Sequence, residues 1–246
     1  MVIHEFGRNR IKEVTVVYRN KKYIYPNSKQ QGMPAFERCV ELGWLDDKMA
    51  QVPDLEGSKL FDFGCNKAAY IQKFKEQHNL QKTYGIDIKK QGKNFVDRFF
   101  HGSFNNPLAQ QIKRRGTFRV ATAISAVEHA GCAWRPDEAR ITEYQQGICG
   151  FLMQISEFFF LTVPFGRRPG WASDNSRKNL YQFDPKMLKS LKRAAHNLGK
   201  KYTEEIYKFD NGYWVKSSKD DARRCRYRSK KSGASAVALV SVFSRG

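Results

Sequence analysis

The chain has 246 residues, with 44 Lys or Arg against 24 Asp or Glu, a formal net charge of +20 and a sequence pI near 9.8. That length buries a core without help from disulfides or metal, and the cationic surplus favours polyanionic partners, nucleic acid first and acidic glycans or an anionic membrane surface after it. Cys39, Cys65, Cys132, Cys149 and Cys225 are odd in number and form no CxxC pair, the charged start MVIHEFGRNRIKEV is no signal peptide, and no apolar run reaches spanning length, so the expectation is a cytoplasmic protein with reduced thiols and no membrane span.

In chain order, Val14–Tyr18 and Lys22–Tyr25 flank Arg19-Asn20-Lys21 and predict a β-hairpin. Pro34 opens a predicted helix with Phe36, Cys39, Val40 and Leu42 on one face, and Gly43 with Asp46-Asp47 is expected to loosen the chain before Pro53. Residues 1–55 therefore read as a hairpin-and-helix extension, and 56–246 as the main domain.

From Ser58 strand and helix patterns alternate. Strands are predicted at Leu60–Phe63, Thr83–Ile88, Phe99–Phe104 with its exit loop, Phe118–Ser125 and Phe158–Val163, the last broken by Pro164-Phe165-Gly166. Helices are predicted at Ala68–Gln77, Pro107–Arg115, Pro136–Gln154 and Pro185–Leu198, the last capped by Asp184. Thr203–Val215 contains a further strand, and Ala236–Phe243 is the final one. Such alternation predicts a doubly wound α/β fold around a mostly parallel sheet, with an antiparallel C-terminal edge.

The segment Lys59-Leu60-Phe61-Asp62-Phe63-Gly64-Cys65-Asn66-Lys67-Ala68 carries the most chemistry. A buried strand ends at an acid and turns through small residues into a helix. Gly64 is where a side chain would collide, and Asn66 tolerates left-handed backbone. A second acid, Asp87, ends the next apolar run. Two strand-end carboxylates suit a nucleoside ligand with an amino group and ribose hydroxyls. An acid at Asp62 opposes a pyrophosphate at the helix start, so a dinucleotide fits less well than a ligand with a cationic amino-acid end.

On these residues, together with Gly85-Ile86-Asp87, the run Ile124-Ser125-Ala126-Val127-Glu128-His129-Ala130-Gly131 and Leu161-Thr162-Val163-Pro164-Phe165-Gly166, the chain from about 57 onward resembles class I S-adenosylmethionine-dependent methyltransferases. The pair S-x-V-E-H-x-G and L-T-V-P-F-G, with Tyr181-Gln182-Phe183-Asp184 and Met187-Leu188, is similar to a subgroup linked to polysaccharide synthesis. The resemblance implies a Rossmann-like methyltransferase fold with a seven-stranded sheet, and S-adenosylmethionine as cofactor. It puts Asp62, Gly64 and Cys65 at the methionine moiety and Asp87 at the ribose. Ser103 and Phe104 stand at the adenine, Ser125 and Ala126 at the sulfonium, and Phe63, Asn66 and Ile88 complete the set. Glu128 and His129 are implied at the cleft mouth, with His129 as base toward an acceptor hydroxyl and Glu128 orienting it or helping bind the cofactor. Asn66 and Ala68 stand where the family has glycines, Ser103 where it has an acid, and Arg119 where it has F-D.

For the acceptor, Arg223-Arg224-Cys225-Arg226-Tyr227-Arg228-Ser229-Lys230-Lys231 alternates cations with an aromatic ring, a pattern that clamps phosphates and stacks bases. Lys113-Arg114-Arg115 and Arg167-Arg168 add charge, and Phe165, Trp171, Tyr181 and Trp214 are candidate pocket walls. Three readings follow: methyl transfer to a polyanion such as RNA or DNA, O-methylation of a sugar or small metabolite, and a non-catalytic nucleic-acid-binding subunit with the same fold. No zinc signature and no amino-methylating Asp-Pro-Pro-Tyr motif is present.

Overall fold

The structure, a computed structural model, describes residues 13–18, 21–26, 37–65, 68–90, 95–132, 137–166, 170–171, 181–210, 213–225 and 235–244. Strands β1 (Glu13–Tyr18) and β2 (Lys21–Pro26) form the expected hairpin, with Val14 opposite Tyr25. Helix α1 (Arg38–Met49) follows. It runs through Gly43 and the Asp46-Asp47 pair, where the sequence suggested a loosened chain. Long-range partners explain the difference. Asp46 accepts from Lys73 Nζ at 2.8 Å and Gln77 Nε2 at 3.1 Å, and Trp44, Leu45 and Met49 are fully buried. Phe36 lies outside the described residues, as does the side chain of Cys39.

The main sheet is built from β3 (Lys59–Phe63), β4 (Lys82–Asp87), β5 (Arg98–His101), β6 (Phe118–Ile124), β7 (Ser156–Pro164), β10 (Lys200–Asp210), β11 (Tyr213–Ser217) and β12 (Ala236–Ser244). Between β7 and β10 sits a two-stranded piece, β8 (Gly170–Trp171) with β9 (Tyr181–Gln182). The helices are α2 (Ala69–Gln77), α3 (Asn106–Lys113), α4 (Glu138–Ile155), α5 (Pro185–Asn197) and the short α6 (Lys219–Ala222).

Strand order is β11-β10-β12-β7-β6-β3-β4-β5, with β5, β4, β3, β6 and β7 parallel and the β12, β10 and β11 pairings antiparallel. The expected α/β class, parallel centre and antiparallel C-terminal edge are all present. The sheet has eight strands instead of seven because the region read as one strand is two, paired with Asp210 opposite Tyr213. The dipeptide between them in sequence, Asn211-Gly212, is a strong hairpin signal.

Register assigns the two faces. Leu60, Val120, Ile124, Phe160, Val237 and Leu239 share one core with residues of α1 and α2. Phe61, Ala121, Phe159, Leu161 and Val240 share the other with residues of α3, α4 and α5. The chain leaves β3 toward one face and β6 toward the other, so these neighbours mark the topological switch point, where open α/β sheets bind ligands beyond the carboxyl ends of the strands.

Candidate functional site

Asp62 pairs in register with Gly85 on β4 and Thr122 on β6. Side chains alternate along a strand, so Asp87, two residues past Gly85, lies on the same face as Asp62. The two strand-end acids therefore share one side of the sheet. Their environments differ. Asp62 is fully buried, and its Oδ1 accepts from Thr122 Oγ1 at 2.6 Å and Tyr70 Oη at 3.0 Å. Its Oδ2 is buried with no partner among the described residues. Burial lifts this carboxyl to about 7, against the hydrogen bonds from Thr122 and Tyr70 and the field of Arg38, with Asp87 adding repulsion. Asp87 is half-buried at the strand exit, where its Oδ1 accepts from the Lys89 amide at 2.8 Å. Beside it Ile88 is 61 % exposed, an apolar surface next to a carboxylate.

The turn after β3 is tight. Gly64 has φ +85°, its amide donates to Ile86 O at 2.9 Å, and a Cβ there would stand 2.4 Å from the Ala126 Cβ. The collision foreseen at Gly64 is thus with the turn after β6. A Cβ on Gly85 would meet Cys65 Sγ at 2.4 Å, which explains both that glycine and the complete burial of Cys65. Asn66 lies outside the described residues.

After β6, Ser125 adopts a left-handed backbone at φ +45°. A non-glycine residue holds that conformation only where its surroundings enforce it. Here its amide donates to Thr162 O at 3.1 Å and Thr162 Oγ1 at 3.0 Å, and its Oγ donates to Glu41 Oε1 at 2.6 Å. A 3-10 turn, Val127–His129, follows. Gln145 Nε2 and Cys132 Sγ both donate to Glu128 O, at 3.2 Å each, and fix it.

Glu128 points inward. It is fully buried, and neither carboxyl oxygen has a hydrogen-bond partner among the described residues. Burial holds it well above the ordinary carboxylate range; its own amide and Arg38 oppose that shift, while Glu41 and Glu37 add to it. His129 is half exposed, with Nε2 3.9 Å from Glu128 Oε1. That is ion-pair distance, beyond a hydrogen bond.

Sequence reasoning missed the contribution of α1. Arg38 Nη1 donates to Ile124 O at 2.8 Å and lies 3.5 Å from Glu41 Oε2. Burial works against the Arg38 charge, but the fields of Glu41, Tyr70, Glu37 and Glu128 outweigh it and hold the guanidinium protonated. Arg38 also acts on Asp62, so one cation serves an acidic cluster of Asp62, Glu128, Glu41 and Glu37. The i, i+3 spacing of Arg38 and Glu41 was visible in the sequence, but nothing local ties them to Ile124 and Ser125.

The remaining predicted residues are placed as follows. Phe63, Ser103 and Phe104 are half-buried. The Phe104 ring packs on Phe63 (centroids 6.3 Å) and Phe151 (4.9 Å), and its carbonyl accepts from Tyr144 Oη at 2.6 Å. Phe165 is 1 % exposed and belongs to the core below the strand ends, bridged in backbone to Phe183; Tyr181 and Trp214 are buried as well. Arg223 and Arg224 are exposed past α6, with Arg223 Nη1 3.3 Å from Asp220 Oδ1. Arg226, Tyr227, Arg228 and the side chain of Trp171 lie outside the described residues. Cys225 O stands 3.0 Å from where a Gly166 Cβ would be, so the basic segment starts beside the end of β7.

The donor set fits a ligand with a cationic amino-acid end and a ribose. Carboxyl oxygens of Asp62 and Glu128 are buried with no hydrogen-bond partner among the described residues, and a strand-exit carboxylate with an exposed aliphatic neighbour lies one strand away.

No protein-family profile matches the sequence, and no curated protein matches it. Solved structures do. A chain of the complex between the Haloferax volcanii Trm112 methyltransferase activator and a proposed methyltransferase superposes with TM-score 0.51 at 12% identity, covering 89% of this chain and 94% of that one. Magnesium protoporphyrin IX methyltransferase (ChlM) from Synechocystis PCC 6803 with bound SAH gives TM-score 0.48 at 13% identity, covering 82% of this chain and 83% of that one. The methyltransferase domain of bacterial CtHen1-C gives TM-score 0.47 at 15% identity, covering 83% and 98%. The first of these carries weight, and what it shows is the architecture: a Rossmann-like α/β sheet of the methyltransferase kind.

Proposed function

We propose that this protein binds S-adenosylmethionine at the carboxyl ends of β3, β4 and β6 and catalyses methyl transfer to a polyanionic acceptor, RNA or DNA. The observation that carries the reading is the set of buried carboxyl oxygens on Asp62 and Glu128, at the switch point, that have no hydrogen-bond partner among the described residues. Orphaned buried acceptors cost free energy unless something answers them, and a cationic ligand does. Asp62 and Glu128 receive the positive end of the cofactor, Asp87 the ribose hydroxyls, and Ile88 with Phe104 the base. When bound, the cofactor supplies a methyl group on a positively charged sulfur.

The chain's own residues do the rest. Tyr70 and Thr122 fix the Asp62 carboxyl, and the shortness of the Gly64–Ala126 approach excludes bulk between the two turns. Burial keeps Glu128 neutral until a cation arrives beside it. His129 takes the proton of the acceptor hydroxyl on its ring, and the Glu128 carboxylate, 3.9 Å away and ionised by the bound cation, stabilises the resulting imidazolium. The polyanionic acceptor is supported by the net charge of +20 and by the basic segment that starts beside β7.

His129→Gln is expected to lower the transfer rate by about 10²–10⁴-fold while leaving cofactor affinity within about twofold, as read by radiolabelled methyl transfer to cellular RNA and by calorimetry. Unchanged transfer would remove His129 from the chemistry. Absence of transfer to nucleic-acid, glycan and protein fractions alike, with cofactor binding intact, would leave a binding subunit.

A further inference from the structure

Helix α5 presents a second basic feature, away from the strand ends. Met187, Leu188, Leu191 and Ala195 bury its inner face. The outer face carries Lys186, Lys189, Lys192, Arg193 and His196, all exposed. The helix itself, Pro185–Asn197, contains no acid; Asp184 precedes it and is buried as the N-cap, with Oδ1 accepting from the Met187 amide at 2.8 Å. A groove of about 570 Å³ runs along this face and is bordered by Lys219 of α6.

Several cations elsewhere on the surface meet carboxylates. Lys73 pairs with Asp46, Lys208 with Asp221, Lys216 with Glu205, Arg223 with Asp220, and Lys219 itself with Glu204. No carboxylate lies within ion-pair distance of Lys189, Lys192 or Arg193 among the described residues. Lys189 and Arg193 are one helical turn apart, a like-charge spacing that weakens a helix by about 0.2–0.5 kcal/mol. The chain retains this repulsion on a helix that contains no acid to offset it.

We infer that the outer face of α5, with the groove beside Lys219, is a docking surface for the phosphodiester backbone of a nucleic acid. Lys186 to His196 spans about 15 Å along the helix axis, the length over which one nucleic-acid strand offers about four phosphates. A membrane surface fits less well. Interfacial helices insert an apolar flank, and the large exposed apolar side chain near this face among the described residues is Leu198, at 37 %. The helix begins two residues after Phe183, which bridges to Phe165 at the end of β7, so a strand lying on α5 leads toward the proposed site. The inference extends the polyanionic-acceptor reading, but it does not rest on methyl transfer.

The test is fluorescence anisotropy of a labelled 20-nucleotide single-stranded RNA with the full chain across a salt series. The triple variant Lys189→Gln/Lys192→Gln/Arg193→Gln should reduce the slope of log K against log salt by about 2 and weaken binding at 100 mM salt by at least about 30-fold. A control with the same charge change at the opposite edge of the sheet, Lys75→Gln/Lys82→Gln/Arg98→Gln, should change affinity less than about threefold. Circular dichroism melts establish that both variants fold, and calorimetry with S-adenosylmethionine reads the strand-end site separately. Equal losses in the two variants would mean that net charge alone binds RNA, and would overturn the inference. So would the absence of RNA binding at 50 mM salt, or α5-dependent binding to phosphatidylserine vesicles without binding to RNA.

Discussion

Asp62→Asn will make the protein more stable than the parent at pH 8, less stable at pH 5, and unable to hold S-adenosylmethionine tightly. The folded-state value of about 7 lies above the ordinary carboxylate value of 3.8. A carboxyl raised in this way contributes stability that is complete below its unfolded pKa and is lost as pH rises through about 7. At pH 8 the parent therefore carries a buried charge that costs on the order of 2–4 kcal/mol. Asparagine has no such charge and keeps an oxygen for Thr122 and Tyr70. Its amide nitrogen replaces the unpartnered Oδ2 and costs about 1–3 kcal/mol at every pH. The two curves of stability against pH should therefore cross between pH 5 and 8, which melts at a series of pH values will show. Curves that stay parallel would mean that Asp62 is not the titrating group. Cofactor affinity should fall at least about 30-fold, the scale for losing one partner of a buried charge pair.

Arg38→Met should cost about 1–3 kcal/mol at pH 8, less than the loss of a fully buried ionic partner because the Arg38 side chain is 30 % exposed, and clearly less at pH 5. Arg38 holds Ile124 O at 2.8 Å and is the cation whose field reaches Asp62, Glu128 and Glu41. At pH 5 Asp62 and Glu128 are protonated and need no counter-charge, so the loss shrinks to the missing hydrogen bond and the Glu41 pair. Urea unfolding at both pH values gives the difference directly. An equal loss at the two pH values would show that Arg38 is not the counter-charge of Asp62 and Glu128. Helix α1 thus delivers Arg38 and Glu41 to Ile124 and Ser125 at the end of β6.

The features legible in the sequence were those with local periodicity. Apolar runs ending in acids located β3 and β4, and the two-residue period then put Asp62 and Asp87 on one face. Asp184 before Pro185 predicted a helix start that its hydrogen bond to Met187 confirms. Features set by distant partners were not legible. Helix α1 passes Asp46 because Lys73 and Gln77 hold that side chain. Ser125 bonds Glu41 across 84 residues, and Glu128 turns inward because Gln145 and Cys132 pin its backbone. The β10–β11 hairpin is a different case, since Asn211-Gly212 announced it in plain sequence terms. Phe165 shows the limit of reading aromatics singly: it matched a strand-end motif and belongs to the core.

The central claim is that the strand-end carboxyls of Asp62 and Glu128 await a cation. Calorimetric titration of S-adenosylmethionine at pH 7, in two buffers of different ionisation enthalpy, tests it most directly. Asp62 is about half protonated there, so binding should expel at least about half a proton, and affinity should strengthen between pH 6 and 8. Heat that is the same in both buffers, or no heat at millimolar ligand, would contradict the account.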